Sequence, residues 1–89
     1  MTDKEIYCTA IMKYGTFQQE LVAVEECSEL IQAIIHKHRG RPHNLAEEIA
    51  DVEIMLEQLK LINDCCEEVE QKKRFKIARL LCRLKGGAV

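Results

Sequence analysis

The chain contains no tryptophan, a single proline, four glycines, and just two tyrosines and two phenylalanines in 89 residues. Hydrophobic residues nonetheless make up 47% of it, so a core must come from Leu, Ile, Val and Ala, a composition that suits helices better than sheets. Few prolines and glycines mean few stops, and helices are expected to be few and long. No apolar run approaches the roughly 20 residues of a membrane span, and the opening MTDKEIYCTAIMKYG lacks the apolar centre of a signal peptide. The five cysteines (Cys8, Cys27, Cys65, Cys66 and Cys82) form no CxxC pair, and an odd number cannot all pair within one chain. A reducing, cytoplasmic location and a soluble protein without a membrane partner are expected. A basic excess is missing too: the formal charge of -2 argues against a nucleic-acid polymer as partner.

What the chain does have is local charge. Acidic residues concentrate in Glu25 to Glu29 and Glu47 to Glu57, basic ones in His36 to His43 and Lys72 to Lys85. Its length allows one domain, 1–89, and a domain this small buries a limited fraction of its surface, so help from a second subunit is expected. Four helices are predicted. The first covers about residues 2 to 13, capped by Thr2 or Asp3 and broken near Gly15, with Thr16 capping the second helix. That second helix runs from about Phe17 to Lys37. After the break His38-Arg39-Gly40-Arg41-Pro42-His43, Asn44 is a natural N-cap with Glu47 as its capping-box partner, and the third helix continues to Asn63 or Asp64. The fourth begins near Cys66 and stops at Gly86.

Helical residues are spaced by about 100°, which allows the faces to be computed. In the second helix Val22, Glu26, Glu29, Leu30 and Ala33 share one face, while Leu21, Val24, Cys27, Ile31, Ile34 and Ile35 form a separate apolar one. In the third, Asn44, Glu48, Asp51, Val52, Met55, Leu59 and Ile62 share a face, with Glu47, Glu57 and Gln58 turned elsewhere. Each helix thus carries two carboxylates at i, i+3 inside an aliphatic stripe. Charge withdrawn from water is costly unless it is paired or bound to a metal, and neither stripe carries a basic residue. A hard cation such as Mg2+, which prefers carboxylate and water oxygens, resolves the difficulty. If the two helices form an antiparallel hairpin, Glu26 and Glu29 face Glu48 and Asp51 as a four-carboxylate cage.

The pattern Glu26-x-x-Glu29, then 18 residues, then Glu48-x-x-Asp51 resembles the ExxE and ExxD signature of the MazG-like, all-α nucleotide pyrophosphohydrolases. The stretches EECSELIQAI (Glu25 to Ile34) and LAEEIADVEIMLEQLKLI (Leu45 to Ile62) are similar to the motif helices of small single-domain members. The resemblance covers about Gln19 to Ile62. It implies an all-α, four-helix MazG-like bundle completed by oligomerisation as a homodimer or homotetramer. It also implies hydrolysis of a nucleoside triphosphate to monophosphate and pyrophosphate, in nucleotide-pool house-cleaning, with Mg2+ as cofactor and Mn2+ as a substitute. By the match, Glu26, Glu29, Glu48 and Asp51 are the metal ligands and catalytic residues, one of them acting through water as base. A non-catalytic MazG-like metal- or nucleotide-binding module is the alternative.

Other candidates weigh less. Lys37, Arg39 and Arg41 offer positive charge for a polyphosphate tail, a role that competes evenly with an ordinary solvated loop. Gln19 is a candidate base contact, and Asn63 projects on the metal side of the third helix. His36, His38 and His43 bracket a turn and read as surface histidines rather than a transition-metal site. The fourth helix sets Val69, Ile77, Leu80, Leu81 and Leu84 on one side, with Lys72, Lys76, Arg79 and Arg83 dispersed around it, and is expected to pack on the hairpin or on a second subunit.

Overall fold

A computed structural model describes residues 1–87. The described chain is all-α: α1 (Asp3–Tyr14), α2 (Thr16–His38), α3 (Leu45–Ile62) and α4 (Cys66–Leu84), with no strand. No helix is long and apolar enough to cross a membrane. Helix α1 opens on a capping box, in which the Thr2 N–H donates to Glu5 Oε1 (3.2 Å) and the Glu5 N–H donates to Thr2 Oγ1 (3.1 Å). A single residue, Gly15 at φ 92°, separates α1 from α2, a backbone conformation that a side chain would strain.

Two expected caps do not form. Thr16 is the first residue of α2, and Gly15 occupies the cap position without a side chain to offer. Asn44 stands at the N-cap of α3 but makes no capping bond. Its amide instead donates to Glu48 Oε1 at 2.8 Å and to Glu47 Oε2 at 3.4 Å. A carboxylate leaving water binds a donor more strongly than a helix end needs an acceptor, so the side chain turns its Nδ2 to the acids.

Helices α2 and α3 form the hairpin around which the fold is built. Gln19 meets Gln58, Glu26 meets Asp51 and Glu29 meets Glu48. Each step forward along α2 is matched by an equal step back along α3, so the helices are antiparallel and share one register. The pairs recur at seven and three residues, which keeps them on one seam. Gln58, which the sequence pattern turns away from this face, is buried. Seven residues separate it from Asp51, and two helical turns return to within about 20° of the same direction.

The apolar core at this seam is small: Ala23, Ala33, Val52 and Met55. Gln19 and Gln58 are buried beside it, and Gln19 Nε2 donates to Gln58 Oε1 at 2.7 Å. Helix α1 packs on both hairpin helices, whereas α4 meets α3 alone and buries no residue. The second apolar face of α2, including Leu21, Val24, Ile31, Ile34 and Ile35, is exposed. On α4, Lys72, Lys76, Arg79 and Arg83 are not dispersed. Their spacing of four, three and four residues confines them to an arc of about 60°.

The buried amides make a stability prediction. Gln58→Ala leaves the Gln19 amide buried without its partner and should cost about 1–3 kcal/mol. Converting both to Leu removes the two polar groups together and should be close to neutral. Urea denaturation of the metal-free protein measures both, and a double variant as unstable as Gln58→Ala would contradict this account.

Candidate metal centre

The seam that pairs α2 with α3 also brings the acids together. One carboxylate oxygen from each of Glu26, Glu29 and Glu48 lies within 4.8 Å of the others. The Asp51 carboxyl is within hydrogen-bonding reach of Glu26, as Glu48 is of Glu29. Such a bond between carboxyls forms only when one of them carries a proton. Burial is graded: Glu48 is buried, Glu26 and Asp51 are half-buried, and Glu29 is exposed, so the cluster opens to solvent at Glu29.

The acids are poorly satisfied. Glu48 Oε1 accepts from Asn44, but Glu48 Oε2 and Glu26 Oε2 are buried with no hydrogen-bond partner. No basic side chain relieves them, since the ion pairs among the described residues are Lys60–Glu57 and Arg74–Glu70. Burial, followed by the charges of Glu29, Asp51 and Glu48, holds the Glu26 carboxyl above the ordinary carboxylate range. For Glu29 the adjacent Glu48 charge is the larger cause and burial the next. Each effect disfavours the ionised form.

These residues can hold a metal. Oxygens bound to a single Mg2+ at about 2.1 Å stand at most about 4.2 Å apart. Among three ligands at most one pair is trans and the others stand about 3.0 Å apart, so from a spacing of at most 4.8 Å the carboxylates close by about 1–2 Å through side-chain rotation. Two buried oxygens without donors are lone pairs already turned inward, and a cation is the group that would satisfy both at once.

The remaining candidates lie elsewhere. Lys37, Arg39 and Arg41 are exposed at the end of α2 and in the following loop, and none is ion-paired. Gln19 is engaged with Gln58. Asn63 caps the far end of α3, donates through Nδ2 to the Leu59 carbonyl at 3.0 Å, and lines a groove beside α4 rather than joining the acids. Two residues of the seam are missed by sequence reasoning. Asn44 reads as a helix cap, although its shared face with Glu48 is a signal for its role as donor. Gln58 is detectable from its seven-residue spacing to Asp51. Comparison of the chain with family models, with curated proteins and with solved structures finds no match.

Because Glu26 and Glu29 hold protons more firmly folded than unfolded, their contribution to folding is fully present below the ordinary carboxylate range, and the window that matters lies between that range and their raised values. That contribution declines as pH rises through this window and is gone above it. At pH 7 without metal, Glu26→Gln should therefore raise the Tm by a few degrees. Mn2+ should raise the Tm of the wild type and move that of the variant far less. Calorimetry decides, and equal responses to Mn2+ would remove Glu26 from the cluster.

Proposed function

We propose that the chain is a Mg2+-dependent nucleoside triphosphate pyrophosphohydrolase, cleaving (d)NTPs between the α and β phosphates in cytoplasmic nucleotide-pool house-cleaning. The observation that carries this reading is the pair of buried, unpartnered oxygens, Glu26 Oε2 and Glu48 Oε2, inside an acidic seam that lacks a neighbouring cation. Its support is the resemblance of the two helices to the ExxE and ExxD motif helices of the MazG-like enzymes. Glu26, Glu29, Glu48 and Asp51 would hold the cation, and Mn2+ would substitute for Mg2+. When bound, it offsets phosphate charge and lowers the pKa of a coordinated water.

The chain's own residues then have separable tasks. Asn44 fixes one oxygen of Glu48, leaving Oε2 for the ligand. Glu29, at the solvent side, marks where a polyphosphate enters. Lys37, Arg39 and Arg41 lie on the segment that leads to Glu48 and meet the phosphate tail. Their contribution would be positive charge at the end of α2 and on the loop between the two acid-bearing helices. A carboxylate of the four takes the proton of the attacking water.

The test is pyrophosphate and orthophosphate release from a panel of canonical and modified (d)NTPs, with Mg2+, Mn2+ or EDTA. Pyrophosphate should appear with either metal and vanish with EDTA. Glu48→Gln should lower the rate by at least about 100-fold, the loss that even residues behind the ligands can cause, while the protein stays folded. Silence across the panel from a folded, Mn2+-binding protein would favour a non-catalytic metal- or nucleotide-binding module.

A further inference from the structure

Two carboxylates of the cluster each keep one buried oxygen without a partner, Glu26 Oε2 and Glu48 Oε2, but their neighbours differ in kind. Glu26 lies within hydrogen-bonding reach of Asp51, and a bond between two carboxyls needs a proton, which a cation displaces. Glu48 accepts at Oε1 from Asn44 Nδ2 at 2.8 Å. An amide donates to an ionised carboxylate with no proton to lose, so of these two contacts the one from Asn44 persists when the cluster fills.

Asn44 holds Glu48 at two points. Its backbone carbonyl accepts the Glu48 N–H at 3.1 Å, and its amide donates to Oε1, which closes a ring across the first turn of α3. Glu47 Oε2 stands 3.4 Å from the same Nδ2. Two carboxylates therefore face one end of the amide and fix its orientation, because the amide oxygen in that place would be repelled by both. The helix start does not compete for this side chain, since the Leu45 N–H donates to His43 Nδ1 at 3.3 Å. Glu48 itself is only 6% exposed, so solvent offers it no alternative donor, and Oε2 remains its one unpartnered oxygen.

We propose that Asn44 sets the cation preference of the cluster: by confining Glu48 to binding through one oxygen, it favours a small ion such as Mg2+ or Mn2+ over Ca2+. The inference rests on reading the cluster as a metal site, and Asn44 is a positioning residue that acts through Glu48. Ca2+ takes roughly six to eight oxygens at about 2.3–2.6 Å and gains from carboxylates that offer both of theirs, whereas Mg2+ takes about six at about 2.1 Å, several of them water. An Oε1 tied to Asn44 withholds the additional ligand from which Ca2+ gains. Removing the tie lets Glu48 turn both oxygens to one larger ion.

Titration calorimetry on the full chain, without nucleotide, measures Mg2+, Mn2+ and Ca2+ binding to the wild type, Asn44→Ala and Asn44→Gly. Both variants should bind Mg2+ and Mn2+ about 10-fold more weakly or worse, the loss typical when a partner behind a metal ligand is removed. Ca2+ affinity should hold or rise, so the ratio of Ca2+ to Mg2+ affinity should increase by at least about 10-fold. Glycine starts a helix almost as well as asparagine but alanine does not, so a change shared by both variants belongs to the lost donor, and Asn44→Gly carries the test if Asn44→Ala does not fold. Equal weakening of all three ions overturns the proposal, as does a shifted ratio in Asn44→Ala that Asn44→Gly lacks. A folded wild type that binds none of the three ions overturns instead the metal-site reading beneath it.

Discussion

Packing α2 against α3 in one register forces four carboxylates toward the same small volume. Hairpins ordinarily fill such a seam with aliphatic side chains, because apolar burial is what offsets the entropy of ordering two helices. Here the repeat runs amide, acid, acid along both helices: Gln19, Glu26 and Glu29 against Gln58, Asp51 and Glu48. The two ends of this row are solved differently. The amides satisfy one another with a direct bond, while the acids have Asn44 as a donor to Glu48 and two buried oxygens with none. A neutral hydrogen-bonded pair fixes register at little electrostatic cost, whereas like charges repel unless protons or a cation intervene. The first pair holds the second in place.

Much of this arrangement is legible in the sequence. The four helices follow from sparse Gly and Pro, and their breaks fall at Gly15, the Gly40–Pro42 segment and the Asp64–Cys65 junction. The acidic stripes follow from helical spacing alone, because Glu26 with Glu29, and Glu48 with Asp51, must project from one side of their helices. What sequence does not resolve is competition. Asn44 has two possible tasks, capping α3 or donating to an acid, and sequence ranks the local one first since it involves a near neighbour. The folded chain turns the amide to Glu47 and Glu48, three and four residues on, because a carboxylate withdrawn from water outweighs an open helix end. Gln58 is missed for a different reason: a polar side chain is assigned to the outside by type, although its angle places it inside.

The course of α4 is open for a third reason. An amphipathic pattern shows that a helix needs a neighbour, but it carries no information on which apolar surface supplies one. The pattern of Val69, Ile77, Leu80, Leu81 and Leu84 is as consistent with the hairpin of its own chain as with another copy. Only the three-dimensional arrangement shows that α4 leaves the hairpin after its first turns, with its middle and end unpacked.

These features have a common origin in how the hairpin allots its interior. Polar groups take Gln19, Gln58 and Glu48 among the buried positions, so four apolar residues remain as the core among the described residues. The aliphatic residues that a conventional hairpin would place inside are displaced to the outer face of α2 and to α4. A chain that gives its seam to acids leaves much of its apolar surface uncovered on the outer face of α2 and on α4. The electrostatic demand at the seam and the hydrophobic demand outside it are thus two consequences of one choice of residues. The first suits a cation held among Glu26, Glu29 and Glu48, while the second leaves the outer face of α2 and much of α4 in water.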